Sequence, residues 1–227
     1  MRLGLAAAKC KWQIATKVSP PRTKDHVKNA CYQSCLGLGI KCINLYYLHR
    51  IDPSILFVVT MDAMNELIRE GNIKYVRVSE ACGSTIRRAH AVCPLTCVQM
   101  EWSLYSRELE DEIVPLCAEL GIEIVAYLPT GRGMLADTSL GISNMRFMDF
   151  RKMDKVGYAS KNGERELAKA LQELATSWDL SLATLSLAWL QKRVVMRLVG
   201  QVSYPYQAME TLLTWKRMLR LFRYLTC

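Results

Sequence analysis

The stretch Lys41-Cys42-Ile43-Asn44-Leu45-Tyr46-Tyr47-Leu48-His49-Arg50 decides how the rest of the chain is read. It is an apolar, aromatic-rich run that ends abruptly in a histidine and an arginine. A parallel strand buried on both faces has this near-continuous pattern, where a half-solvated strand would alternate. Polar chemistry at the C-terminal end of such a strand is where α/β barrels keep their active sites. A core strand that merely ends in a solvated histidine would look the same, so the neighbouring segments must decide.

Outward from it, strands are expected at 12–16, 73–78, 96–100, 122–127 and 194–200, with 42–48 between the first two. Helical segments separate them. One starts at Asp25, a good N-cap, and stops at Gly37 or Gly39. A second follows Asp52-Pro53 and closes at Gly71-Asn72. A third spans 84–92, and a fourth is capped by Ser106 and runs to Leu120, with Glu108, Glu110 and Asp111 favourably placed in its first turn. A polar stretch at 136–161 reads as a long surface loop, and further helices are expected at 163–177, 181–192 and 207–224. Strands alternating with helices at this spacing argue for repeated βα units and a parallel sheet. Polar residues recur just past the strand ends: Lys17, His49, Ser79, Gln99, Tyr127 and Arg132. One such position is usually structural. In a barrel all of these ends meet on one face, and their recurrence points to a shared site.

Composition narrows the functional classes. The chain has 227 residues, 51% of them hydrophobic and 22% charged, enough for one substantial core. Its apolar runs fall short of the roughly 18 residues that span a bilayer, and Lys9 and Lys11 cut the apolar start below signal-peptide length. Stable membrane insertion is therefore not expected, and a cytoplasmic protein is. The nine cysteines include no Cys-x-x-Cys pair and are accompanied by three histidines, so free thiols in a reducing compartment are favoured over a metal site. The net charge of +9 suits a phosphate-bearing cofactor. Nucleic acid is not expected as a partner, because the aromatics sit in strand-like runs rather than interleaved with Lys and Arg.

With these residues in hand, the chain resembles the aldo-keto reductases, particularly the plant members that act on small carbonyl compounds. The matching stretches are Ile14-Ala15-Thr16-Lys17, Leu45-Tyr46-Tyr47-Leu48-His49-Arg50, Glu70-Gly71-Asn72-Ile73-Lys74-Tyr75, and Ser79-Glu80-Ala81. Thr85-Ile86-Arg87-Arg88-Ala89-His90-Ala91, Val98-Gln99-Met100-Glu101-Trp102-Ser103-Leu104 and Gly131-Arg132-Gly133 continue the series in family order. The resemblance implies a (β/α)8 barrel that binds NADPH and transfers its hydride to an aldehyde or ketone. By position Lys17 matches the family's lysine and His49 its histidine. The ammonium would favour a phenolate on the tyrosine proton donor, and the histidine would polarise the carbonyl oxygen. Ser79 and Gln99 match the groups that hold the nicotinamide carboxamide. Tyr127 matches the ring stacked on the nicotinamide, and Leu128, Pro129, Gly131, Arg132 and Gly133 match the pyrophosphate-contacting loop.

The departures carry equal information. The family's tyrosine and aspartate lie on its first two barrel units, upstream of the strand that holds Lys17, and this chain begins just before that strand. Asn44 stands for an aspartate, Arg77 for a glycine, and Leu128 for a serine whose hydroxyl would contact phosphate. The expectation is thus one incomplete barrel domain over 1–227, with about six of eight βα units and a divergent basic tail at 203–227. Strand number and shear are linked, so such a sheet would not close, and its apolar edges invite self-association. Functionally the expectation is an NADP-dependent reductase of a small carbonyl substrate, impaired by loss of its tyrosine donor. Two alternatives stand beside it: a non-catalytic family remnant that binds or oligomerises, and a basic protein of nucleic acid or membrane surfaces.

Overall fold

A computed structural model describes residues 13–19, 23–51, 56–136 and 162–197, and among these the side chains of 162–165 and 194–197 are not described. They group into two compact units, one drawn from 1–100 with 110–124 and the other from 101–109 with 125–227.

In the first unit, strand β1 (Ala15–Val18) leads to helix α1 (Lys24–Leu38), β2 (Ile43–Leu48), α2 (Phe57–Arg69), β3 (Ile73–Ser79), α3 (Gly83–Val92) and β4 (Leu95–Glu101). Helix α4 (Ile113–Leu120) and the start of β5 (Glu123–Tyr127) follow. The strands form one sheet in the order β1-β2-β3-β4-β5, an α/β arrangement of the (β/α)8 type with five strands among the described residues. The pairing from β1 to β4 is parallel. Its register aligns Lys17 with Tyr47 and Tyr47 with Arg77. Between Val76 and Arg77 the register shifts by a residue, which brings Arg77 opposite Cys97 and Ser79 opposite Gln99.

Burial explains the unbroken apolar runs. Ile43, Tyr46, Tyr47 and Leu48 of β2 are all buried, as are Val76, Arg77, Val78 and Ser79 of β3. The two faces of β2 have different neighbours. The Tyr46 hydroxyl donates to the Val27 carbonyl of α1 at 3.4 Å. The Tyr47 ring lies against Arg77. On the helix side, α2 buries Met61, Ala63, Met64 and Leu67 at three- and four-residue spacing. Lys28 of α1 pairs with both Glu66 and Glu70 of α2, and Tyr32 donates to Glu70, tying the two helices at their exposed rim.

Several boundaries differ from expectation for local reasons. Thr23 rather than Asp25 caps α1, its hydroxyl accepting from the His26 amide, and Gly39 closes it in the left-handed region at φ 68°. The helix expected from Ser106 is broken: a 3-10 turn covers Glu108–Glu110, and α4 starts only at Ile113. Pro115 explains this: lacking an N–H to bond the Asp111 carbonyl, it fits the first turn of a helix and stops α4 from extending back through it. Ser106 instead donates its hydroxyl to Glu108. Asn44 is put to structural use, its Oδ1 accepting from the Ile14 amide at 2.9 Å just ahead of β1.

The second unit contains the rest of β5 and helices α5 (Asn162–Ser177) and α6 (Leu182–Arg197). Ser181 caps α6 by accepting from the Thr184 amide. The strand expected at 194–200 is a correction. Residues 194–197 continue α6, and 198–200 lie outside the described residues, as do the loop from 137 to 161, the helix at 207–224 and the tail at 203–227. The pair Val194-Val195 carries strand propensity, but the residues before it belong to a helix with Leu182, Leu185 and Leu190 buried, and the established helix propagates through it.

Met64 is fully buried at the centre of α2. Met64→Ala is expected to destabilise the protein by about 2–5 kcal/mol, read from urea unfolding midpoints at constant m-value.

Candidate active site

The C-terminal ends of β1 to β4 bring four of the expected residues onto consecutive strands of the first unit. Lys17 is near the end of β1, His49 follows β2, Ser79 ends β3, and Gln99 lies near the end of β4. Ser79 and Gln99 are register partners, each 4% exposed, and the Glu80 amide donates to the Gln99 carbonyl at 2.9 Å. The His49 amide donates to the Val18 carbonyl at 3.2 Å, which continues the β1–β2 ladder beyond the strand itself. Lys17 and His49 remain exposed. Arg50 pairs with Glu80 at 3.6 Å across the ends of β2 and β3, and Glu80 adopts a left-handed backbone at φ 53°.

Behind these ends is a residue that the sequence marked only as a departure from glycine. Arg77 is 1% exposed, and its guanidinium carbon lies 3.3 Å from the centroid of the Tyr47 ring. The Lys17 Nζ is 5.8 Å from that same centroid. Arg77 also donates to the Cys97 sulfur, although burial still leaves the Cys97 thiol pushed up. Lys17 is drawn below the ordinary lysine range by partial burial first, then by the positive charges of Arg77 and Arg50. Lys17 is exposed, with the guanidiniums of Arg77 and Arg50 as the positive charges that act on it.

In the second unit the expected phosphate loop is a set of tight turns. Leu128, Gly131, Arg132 and Gly133 all have positive φ, at 53°, 55°, 55° and 91°. A side chain at Gly131 would meet the Tyr105 ring, with a Cβ only 2.6 Å from its Cδ2, so glycine is required for packing as well as for conformation. The amides of Gly131 and Gly133 donate to the Leu128 and Thr130 carbonyls, so these two donors stabilise the loop itself. Pro129 is buried and Tyr127 half-buried, and the Tyr127 carbonyl accepts from the Trp102 amide at 3.3 Å. Arg132 faces Glu101, with Nη2 3.7 Å from Oε2.

The chemistry of the donors fits one end of a nicotinamide cofactor. A hydroxyl and a primary amide, buried and directly opposed, supply the donors and acceptor that a carboxamide requires. Among the described residues no group of three or more His, Cys, Asp or Glu is placed to hold a metal ion, and no helix is long and apolar enough to cross a membrane.

The aldo/keto reductase family model matches residues 3–219. The chain belongs to the aldo/keto reductase family. Among the solved structures that share its fold are two enzymes. A glycerol dehydrogenase from Gluconobacter oxydans aligns with a TM-score of 0.71 at 17% identity, over 98% of this chain and 75% of that one. A thermostable aldo-keto reductase solved with the inhibitor epalrestat aligns with a TM-score of 0.65 at 21% identity, over 93% of this chain and 66% of that one. Family membership establishes oxidoreduction of carbonyl compounds with a nicotinamide cofactor as the family's chemistry, and it accounts for the α/β sheet of (β/α)8 type.

One reactive group went unread in the sequence. Cys82 is exposed at the N-cap of α3, where the Ser84 and Thr85 hydroxyls lie 3.3 and 3.2 Å from its sulfur, and these hydrogen bonds lower its pKa to about 7. The signal was the Cys-Gly-Ser-Thr start of a helix. Cys31 and Cys117 are the reverse case, both pushed up to about 12 by burial. Iodoacetamide should therefore modify Cys82 first, at a rate half-maximal near pH 7, while Cys31 and Cys117 react only on unfolding. Peptide mass spectrometry across a pH series checks both outcomes.

Proposed function

We propose that this chain is a cytoplasmic NADPH-dependent reductase of small aldehydes or ketones. The observation that supports it most is the placing of Lys17, His49, Ser79 and Gln99 at successive C-terminal strand ends, with Ser79 and Gln99 opposed and buried. The bound nicotinamide would supply the hydride. Ser79 and Gln99 would hold its carboxamide and so fix the exposed ring face. His49 would donate a hydrogen bond to the carbonyl oxygen as negative charge develops on it. Lys17 would stabilise the same charge through its ammonium. In the family pattern Tyr127 and the loop of Leu128, Pro129, Gly131, Arg132 and Gly133 contribute the stacking ring and the phosphate contact. Arg132 adds a cation there, and the preference for the 2′-phosphate form rests on the resemblance.

A fluorescence titration of NADPH, with NADH alongside, tests the reading. Saturable binding that favours NADPH is expected, weakened by about tenfold in Gln99→Ala, the equivalent of one strong hydrogen bond. A folded protein that binds neither nucleotide would overturn it. The pH dependence has a defined sign as well. Partial burial, and then the charges of Arg77 and Arg50, lower the Lys17 pKa below the ordinary lysine value, so any rate that needs the ammonium declines with rising pH earlier than for an ordinary lysine. Arg77→Gly should move that alkaline limb upward.

A further inference from the structure

The loop after β5, in the second unit, is bent against its own preferences. Leu128 and Arg132 are not glycines, yet they hold φ at 53° and 55°, in the left-handed region that disfavours a side chain. Residues stay in such conformations only where the surrounding structure over-determines them. The loop's own amides supply part of that constraint. Gly131 donates to the Leu128 carbonyl at 2.9 Å, and Gly133 and Leu135 donate to the Thr130 carbonyl at 3.1 and 2.9 Å. A single segment of the same unit, 101–105, adds three further contacts. The Trp102 amide donates to the Tyr127 carbonyl at 3.3 Å, at the entry to the loop. The Glu101 carboxylate lies 3.7 Å from the Arg132 guanidinium, near its far end. Between these two points the Tyr105 ring lies against Gly131, so close that a Cβ there would stand 2.6 Å from Tyr105 Cδ2.

Tyr105 is itself fixed from behind. Ser103 is fully buried, and its hydroxyl oxygen accepts from both the Tyr105 and the Ser106 amides at 3.1 Å. The Ser103 amide donates to the Ser106 carbonyl, also at 3.1 Å, and closes the turn. One hydroxyl thus sets the backbone that carries the ring, as serine does in tight turns. The ring on this mount serves as a template. Gly131 holds its φ of 55° against it, and no residue with a Cβ fits between ring and backbone. We propose that Tyr105 is a positioning residue for the pyrophosphate of the cofactor, the surface against which the 128–133 loop takes its binding shape. It acts through Gly131, and so through the adjoining Arg132, without touching the nucleotide. The inference deepens the proposed NADPH reading and rests on it.

The test compares NADPH, titrated by fluorescence, with reduced nicotinamide riboside, titrated by ligand NMR. The riboside carries the same dihydronicotinamide and no phosphate. Tyr105→Ala should weaken NADPH by about tenfold, as for one lost hydrogen bond to a charged group, and leave the riboside unchanged. Tyr105→Phe keeps the ring and should bind both ligands as the wild type does. Ser103→Ala removes the acceptor of the Tyr105 and Ser106 amides with little change in volume. It should reproduce the selective loss in smaller measure, and it decides the matter if Tyr105→Ala fails to fold. Hydrogen exchange without nucleotide reads the loop directly: the Gly131, Gly133 and Leu135 amides should exchange faster in Tyr105→Ala and at the wild-type rate in Tyr105→Phe. An unchanged NADPH affinity in a folded Tyr105→Ala protein would overturn the proposal. So would an equal loss for both ligands, the mark of a merely structural defect. A wild-type protein that binds neither ligand overturns the NADPH reading instead, and unchanged exchange in Tyr105→Ala then overturns the role of Tyr105 on its own.

Discussion

The contact between the Arg77 guanidinium and the face of Tyr47 is the interaction on which the strand ends depend. A guanidinium taken out of water costs several kcal/mol, and a desolvated cation–π contact returns about 2 kcal/mol or more. The Cys97 sulfur, directly opposite in the register, accepts a further hydrogen bond. The strands beside Arg77 must therefore keep their register, since a slip of one residue would turn Tyr47 and Cys97 to the other face. The same register sets Lys17 at the edge of the Arg77 field and brings Ser79 opposite Gln99 two residues further on. Stability of the sheet and electrostatics of the site are consequences of one alignment.

That alignment also sets the charge around Lys17. Partial burial first, and then the guanidiniums of Arg77 and Arg50, weaken the hold of Lys17 on its proton. The buried hydroxyl and amide of Ser79 and Gln99 keep the donor pattern suited to a carboxamide.

Much of this could be read from the sequence. The β2 run and the polar residues after each apolar segment identified parallel strands and where their C-terminal ends fall, because burial on both faces leaves an unbroken apolar signature. Lys17, His49, Ser79 and Gln99 were legible for that reason. Positions set by non-local contacts were not. Asp25 and Thr23 are both competent caps, and it is the Thr23 hydroxyl that accepts from the His26 amide. The helix from Ser106 was broken by Pro115, a signal that was present but outweighed by the acidic first turn. Val194-Val195 suggested a strand by propensity alone, while the helix already established before it propagated through the pair. The stacking of Arg77 on Tyr47 could not be foreseen, because it depends on the β2–β3 register that sets the two residues opposite each other, which no local pattern announces.

The most direct measurement is an NMR titration of the Lys17 side chain, Cε to Nζ, in the wild-type protein and in Arg77→Met. The account predicts a wild-type pKa below the ordinary lysine range, and a rise toward it when the guanidinium is removed from a protein that keeps its fold. A Lys17 that titrates like any exposed lysine in both proteins would contradict it.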